Sequence, residues 1–211
     1  MAFDDDAAFA AFGQGFANRA DWRRNNINEL VVEMRKRVRA VKPSVQFGIS
    51  PFAVWRNKAT DPAGSNTTAG CQTYDDLYAD TRAWVQNEWI DYIAPQLYFY
   101  IGFPAADYAQ LLPWWADTVQ GTNVKLYIGE ANYRVGAAGQ TGPWQDPEEL
   151  SRQLALSVAT PQVAGHIYFS AKDVRADRLG AMKLVVERFY NFTEVDEGAN
   201  THAQTIAISR R

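Results

Sequence analysis

The 211-residue sequence has little of what metal, disulfide and redox proteins need: it contains one cysteine and two histidines. Cys71 has no second cysteine to pair with, and together with His166 and His202 it cannot supply the ligand set of a zinc site. No predicted strand is followed by a GxGxxG or GxxxxGK[ST] motif, which disfavours a nucleotide-binding sheet. We therefore expect no disulfide, no bound metal and no cofactor.

The sequence also lacks a strong excess of charge and any long apolar run. The formal net charge is −3, with acidic and basic residues interspersed, so no basic stripe is available for nucleic acid or an anionic membrane surface. No apolar run approaches the roughly 20 residues that span a bilayer. The first residues, MAFDDDAAFAAFG, do not have the layout of a signal peptide. The sequence predicts a soluble, untargeted chain with no nucleic-acid partner and no membrane-spanning segment.

Aromatic residues are abundant by contrast, at 13% of the chain with seven tryptophans. Several of them fall near the ends of predicted strands. Aromatic rings pack against the C–H faces of pyranose rings while neighbouring polar groups bind the hydroxyls. This placement suits a sugar site, and aromatic packing in the core is the alternative.

Four short apolar runs alternate with longer amphipathic segments. Short apolar runs between turn residues are typical of buried strands, and apolar residues three and four apart are typical of helices. The predicted strands are 45–50, 90–97, 124–128 and 163–170, and the predicted helices are 22–41, 73–88, 106–119, 146–158 and 176–190. This alternation predicts right-handed βα units and a parallel sheet in one domain over 21–192. Residues 1–20 are predicted to be a lead-in loop and residues 193–211 a disordered tail.

The third predicted strand stops at Gly129 and is followed directly by Glu130. In parallel α/β proteins the carboxyl ends of the strands are where ligands bind. Glu130 is therefore the candidate catalytic residue, and a glutamate that is solvated or paired with Arg134 is the alternative.

Other polar and aromatic residues follow the predicted strands at the same end. Amides and phenols can bind sugar hydroxyls, indoles can stack on sugar rings, and an arginine can bind a substrate carboxylate. The candidate substrate-binding residues are Trp55, Arg56, Gln96, Tyr98, Asn132, Tyr133, Tyr168 and Ser170. The alternative for each is a packed or solvated loop residue, and Arg56 could pair with an acid of the N-terminal loop. Because strand ends of a parallel barrel share one rim, we expect Glu130, Trp55, Gln96 and Tyr168 to face the largest concave surface.

Five segments also carry a family resemblance when they are taken together in order. They are DWRRNNINELV (21–31), KPSVQFGISPFAVWRN (42–57), WIDYIAPQLYF (89–99), KLYIGEANYRVG (125–136) and GHIYFSAK (165–172). They resemble the bacterial glycosyl hydrolase-like 10 family, from Phe3 to about Tyr190. The resemblance implies a (β/α)8 TIM barrel related to clan A glycoside hydrolases, of which this chain holds strands five to eight, a half-barrel. It also suggests a secreted or cell-envelope location in bacteria.

The resemblance further implies an activity. Clan A enzymes place an acid/base carboxyl after strand four and a nucleophilic or stabilising carboxylate after strand seven, and Glu130 matches the second position. The implied function is hydrolysis of a glycosidic bond in a bacterial or dietary polysaccharide or glycan by a pair of carboxyl groups. Glu130→Gln is then expected to lower turnover by several orders of magnitude, with little effect on KM.

The acid/base partner of Glu130 is not expected within this chain. We therefore expect the isolated chain to be poorly active and to associate with the missing N-terminal half-barrel or with a second copy. Two other functions stay open at this point. One is a non-catalytic carbohydrate-binding or interaction module that uses the same aromatic surface, and the other is a phosphate-binding barrel, suggested by the glycines between 129 and 142.

Overall fold

The computed structural model describes residues 3–190 and the backbone of residues 207–208. The helices are α1 (Asp6–Phe12), α2 (Arg19–Val41), α3 (Thr73–Asp76), α4 (Thr81–Gln86), α5 (Tyr108–Val119), α6 (Glu149–Val158), α7 (Ala171–Ala176) and α8 (Ala181–Phe189), with 3-10 turns at Gly142–Gln145 and Arg178–Gly180. The strands are β1 (Gly48–Ile49), β2 (Tyr92–Ile93), β3 (Lys125–Glu130), β4 (Val163–Tyr168) and β5 (Ala207–Ile208). The predicted alternation of strands and helices is confirmed.

The strands form one parallel sheet whose spatial order follows the chain order. The backbone of β5 pairs with β4 at Ile167 and Tyr168, so β4 has a paired strand on each side. The rest of the predicted tail, residues 193–206 and 209–211, lies outside the described residues. The parallel α/β arrangement agrees with a barrel-type fold, because each strand is joined to the next by a helical crossover.

The two faces of the central strand β3 have different surroundings. Leu126 and Ile128 are fully buried in the main core, which includes Leu111 and Trp115 of α5. Tyr127 is only partly buried, and its ring contacts Tyr92 of β2 edge to face. Because successive side chains of a strand point to opposite faces, β3 has one face toward the helices and one face away from them.

The core consists of two clusters of buried side chains. The larger one packs α5 against β2 and β3, and the indole of Trp115 donates a hydrogen bond of 2.8 Å to the carbonyl of Ala53, beyond β1. The smaller one lies under α6 and α8 and contains Leu150, Leu154 and Val185. Among the described helices, none has both the length and the apolar character needed to cross a membrane.

The N-terminal region differs from the prediction, since the expected lead-in loop contains α1. Its Phe9 ring packs against Trp22 of α2, with 5.5 Å between ring centroids. Asp5 accepts two hydrogen bonds of 2.7 Å from Arg23. Helix α2 begins at Arg19, three residues before the predicted start, and is capped by Asn18, whose side chain accepts a hydrogen bond from the backbone of Asp21. Phe9 and Asp5 thus hold the N-terminal region against α2, and such contacts between elements are not visible in local sequence patterns.

Two predicted helices are broken by residues with positive φ. Helix 73–88 divides into α3 and α4 at Tyr78 (φ 53°), and the side chain of Asp80 caps the second part. The last helix begins earlier than expected as α7 and breaks at Asp177 (φ 42°), whose carboxylate accepts from Met182 N at 2.7 Å. Hydrophobic periodicity did not reveal the break inside 73–88, and it predicted the last helix only from 176, without most of α7.

Candidate functional site

The carboxyl ends of the strands bring several predicted residues to one rim. Gln96 forms backbone bridges to Phe52 on one side and to Gly129 on the other. Glu130, the next residue, is directly opposite Tyr168 in the β3–β4 register. A Cβ atom at Gly129 would lie 2.9 Å from the carbonyl oxygen of Pro95. Only glycine therefore permits the two backbones to approach this closely.

Three aromatic side chains form a cluster at this rim. The ring of Tyr98 contacts Tyr133 at 5.6 Å and stacks on Phe169 at 6.0 Å, and Tyr133 contacts Phe169 at 5.8 Å. All three are partly exposed. We refer to Tyr98, Tyr133 and Phe169 as the rim aromatic cluster. Burial, followed by the neighbouring Tyr133 and Glu130, raises the pKa of Tyr98 to about 12, so its phenol stays protonated as a hydrogen-bond donor.

Glu130 lies on the helix-facing side of β3, since it has the parity of Leu126 and Ile128. Its side chain is 0% exposed, and Tyr108, the first residue of α5, donates a hydrogen bond of 2.9 Å to Oε1. Oε2 is buried without a hydrogen-bond partner among the described residues. Burial raises the pKa of Glu130 to about 8, the Tyr108 hydrogen bond opposes that rise, and the charge of Glu149 adds to it.

These properties separate Glu130 from the role that the sequence suggested. A nucleophile or charge stabiliser must be ionised and open to the substrate, whereas Glu130 is protonated at neutral pH and closed off. The expectation that it projects into the largest concave surface is also not met. Glu130 is fully buried and so does not face an open surface. A cavity of about 200 Å³ opens at the amino ends of the strands, where Arg35, Asp91 and Lys125 are among its lining residues.

Two buried polar residues of α6, neither of them predicted as a site residue from the sequence, hold the loop that carries Tyr98. Glu149 Oε1 accepts a hydrogen bond of 2.8 Å from the backbone of Ile101, and Gln153 donates one of 3.2 Å to the carbonyl of Phe99. Gln153 also donates to Glu149 at 2.7 Å. The acidic helix start at 146–149 was visible in the sequence, but its use as an anchor for another loop was not.

The loop after β1 does not contribute an open sugar platform. The ring of Trp55 is 6% exposed, its indole N–H donates to Asp80 at 3.0 Å, and Trp114 stacks on it at 6.1 Å. Arg56 is bound by two acids of its own region, Asp75 at 2.8 and 2.9 Å and Asp61 at 2.8 Å. The predicted roles of Trp55 as a platform and Arg56 as a carboxylate ligand are corrected, because their binding groups are already occupied.

Of three other predicted residues, Tyr168 and Asn132 are buried and Ser170 is partly exposed. The hydroxyl of Tyr168 pairs with that of Tyr190 at 3.0 Å on the helix side of the sheet. Ser170 donates to Asp173 at 2.6 Å, in the first turn of α7. Asn132 is 4% exposed, and its Oδ1 has no partner among the described residues. Five of the eight predicted substrate-binding residues are partly exposed. Arg56 and Ser170 are bound to acids, whereas Gln96, Tyr98 and Tyr133 form no hydrogen bond with an acid among the described residues.

The buried acids of the described chain are Glu130, Glu149 and Asp173. Glu149 also binds Arg152 at 2.9 Å, and Asp173 binds Arg178 at 3.0 Å. Each buried acid is therefore protonated or engaged by a partner. Within the residues that the structure covers, no group of three His, Cys, Asp or Glu side chains is arranged to hold a metal ion.

His166 of β4 is a buried histidine that contacts two hydroxyl groups. Its Nε2 lies 2.6 Å from Ser157 Oγ and its Nδ1 lies 3.3 Å from the Tyr190 hydroxyl. Burial lowers its pKa from 6.5 to about 4. Protonation thus favours the unfolded chain, so the stabilisation from neutral His166 is present above pH 6.5 and is lost as the pH falls toward 4.

We expect the difference in unfolding free energy between the wild type and His166→Gln to shrink by up to about 1.4 kcal/mol per pH unit over that window. Urea unfolding of both proteins at pH 7, 6 and 5 measures it. A constant difference across the window contradicts a neutral, buried His166.

The sheet is parallel, helices pack on one of its faces, and polar and aromatic residues line the rim at the carboxyl ends of its strands. Barrel-type domains that bind a ligand at this rim have the same arrangement. The chain belongs to the glycosyl hydrolase-like 10 family, whose model matches residues 2–146. This shows the family resemblance that the five sequence segments indicated.

Two relatives illustrate the similarity. The chain is 50% identical over 179 residues to "Glycosyl hydrolase YngK" of Bacillus subtilis, a match covering 84% of this chain and 35% of the relative. It is 44% identical over 170 residues to "Glycosyl hydrolase DigH" of Escherichia coli K12, covering 79% of this chain and 38% of the relative. The chain thus spans a little over a third of the length of these curated relatives.

Proposed function

We propose that this chain is part of a glycoside hydrolase that cleaves an O-glycosidic bond in a bacterial or dietary polysaccharide or glycan. The family and the names of its relatives support the general class. The observation that carries the proposal in this chain is the rim aromatic cluster beside Gln96. Aromatic rings that are partly open, next to an amide and to phenols, match the mixed apolar and hydroxyl-bearing surface of a sugar.

Gln96 and the rim aromatic cluster would bind the sugar in complementary ways. The Gln96 side chain donates to the carbonyl of Ser50 at 3.1 Å, which orients the amide and leaves its oxygen available to a sugar hydroxyl. The hydroxyl groups of Tyr98 and Tyr133 supply further donors. The rings supply the apolar surface on which a pyranose stacks.

Hydrolysis by a carboxylate pair needs two carboxyl groups that reach the bond being cleaved. Since the buried acids here are protonated or paired, we propose that the pair comes from the rest of a longer protein, in line with the partial coverage of the relatives. In this proposal the remaining βα units complete a (β/α)8 barrel around the face of the sheet that carries Tyr92 and Tyr127. Glu130 supports the rim from behind as a neutral acid.

A glycosidase assay with binding measured in parallel tests this function. Release of reducing ends from a panel of polysaccharides is measured for the longest natural form of the protein and for the 211-residue chain. We expect hydrolysis by the longer form and little or none by the chain alone. Binding without hydrolysis by the longer form would instead identify a carbohydrate-binding module.

Two glutamine variants test whether the sugar binds at the rim beside Gln96. Gln96→Ala is expected to raise KM for the hydrolysed glycan several-fold, because it removes a hydrogen bond to the bound sugar. Gln86→Ala, an exposed glutamine at the end of α4, serves as the control with no expected effect. Equal kinetics for the two variants contradicts the placement of the sugar at this rim.

A further inference from the structure

One arginine near the rim has no acidic partner among the residues that the structure describes. Of the two arginines in the loops that follow β1 and β3, Arg56 is neutralised by Asp75 and Asp61. Arg134, four residues after the end of β3, forms no ion pair with any acid in the described part of the chain. It is partly exposed, so its charge is available to a ligand.

Neighbouring side chains hold the guanidinium of Arg134 in place. It lies over the rings of Tyr133 and Trp144, with 5.5 and 5.8 Å to their centroids. Its Nε donates to the Tyr133 hydroxyl at 3.1 Å, and Nη1 makes a longer contact of 3.4 Å with Gln140. Nη2 has no described acceptor. A cation that is already oriented loses less entropy when it binds an anion, and a planar guanidinium suits the two oxygens of a carboxylate.

The position of Arg134 connects this charge to the sugar site. Tyr133, which contacts the guanidinium, is a member of the rim aromatic cluster. Trp144 is buried, and its carbonyl accepts a hydrogen bond of 2.8 Å from Gly136, which closes the loop that carries Arg134. A substituent on a sugar stacked at the rim aromatic cluster would therefore have a fixed cation beside it.

We propose that Arg134 binds an anionic substituent, a carboxylate or a sulfate, on a sugar unit of the glycan held at the rim aromatic cluster. Arg134 is then a specificity-determining residue that favours acidic glycans over neutral ones. The proposal rests on the proposed function for the identity of the ligand as a glycan. It does not depend on bond cleavage.

Equilibrium binding tests the proposal. Calorimetry is performed on the longest natural form of the protein with an oligosaccharide of hexuronic acid, its carboxyl-reduced counterpart and a sulfated oligosaccharide of the same length. We expect at least one acidic member to bind about tenfold more tightly than the neutral one, as a charge-assisted hydrogen bond predicts. The carboxylate and sulfate arms identify the preferred anion, and added salt is expected to reduce the preference.

Three variants determine whether Arg134 causes the preference for acidic glycans. Arg134→Gln is expected to abolish the ratio of acidic to neutral affinity that defines the preference, and Arg134→Lys is expected to retain part of it. Arg175→Gln, at an exposed arginine of α7, is the matched loss of one positive charge. No preference for an acidic member, or a preference that survives in Arg134→Gln, overturns the proposal. Glycan binding without hydrolysis contradicts only the proposed function.

Discussion

Replacing Glu130 by glutamine is expected to leave turnover within a few-fold of the wild type, whereas replacing it by alanine destabilises the protein by about 3 kcal/mol. Glutamine has nearly the shape of the protonated acid and can still accept the hydrogen bond from Tyr108. Alanine leaves a cavity at a fully buried position and the Tyr108 hydroxyl without its partner. Urea unfolding and glycosidase assays of the longest natural form measure the two effects.

The pH dependence of stability gives a second measure of the same carboxyl. The folded pKa of Glu130, about 8, lies above the ordinary value of 4.5, so the unfolded chain releases this proton at lower pH than the folded protein. The stabilisation from the protonated acid is therefore complete below pH 4.5 and is lost as the pH rises to 8. Relative to Glu130→Gln, the wild type is expected to lose up to about 1.4 kcal/mol per pH unit in this window.

This titration involves the groups around Glu130 as well. The groups that influence it or respond to its charge are Tyr108 of α5, Glu149 of α6, Tyr168 of β4, Tyr98 of the rim and Tyr190 after α8. Tyr108→Phe removes the hydrogen bond that lowers the pKa of Glu130, so that pKa should rise further. Carbon NMR of labelled glutamate follows the pKa of Glu130 directly.

A folded Glu130→Gln protein with turnover reduced by orders of magnitude would show that Glu130 takes part in the chemistry after all.

Trp115→Ala is expected to cost about 4 kcal/mol of unfolding free energy. The Trp115 side chain is fully buried in the larger core, and its indole donates to the carbonyl of Ala53, which connects α5 to the loop after β1. The substitution removes the packing and leaves that carbonyl without its donor. Chemical denaturation monitored by circular dichroism measures the loss.

Two phenylalanine variants separate packing from hydrogen bonding at this position. Trp115→Phe keeps most of the packing and is expected to cost less than alanine. Trp114→Phe is the neighbouring control, because Trp114 is only partly buried although it also donates to a carbonyl, that of Ala63. If Trp114→Phe proves as costly as Trp115→Ala, the complete burial of Trp115 in the larger core is not what makes its side chain important for stability.

The different charge pairing of Arg56 and Arg134 shows why site residues are harder to predict than the fold. Arg56 and Arg134 both follow predicted strands, and nothing in the local sequence marks one of them as neutralised. The difference comes from Asp61, five residues after Arg56, and Asp75, 19 residues after it, both of which the fold brings to the Arg56 guanidinium. The packing of Trp55 against Trp114 is a contact of the same kind across the chain.

The sequence by itself determined the α/β class, the parallel sheet, the order of its strands and the family, because hydrophobic periodicity, turn residues and family segments are local signals. It also placed Gln96, Glu130 and Tyr168 at strand ends. The alternation along Leu126, Ile128 and Glu130 was present in the sequence as well, but it could be interpreted only once one face of the sheet was known to carry the helices. Only the tertiary structure decided that Glu130 is a buried, protonated acid under α5 and that Arg134 keeps its charge, because burial and ion pairing depend on residues far apart in the chain.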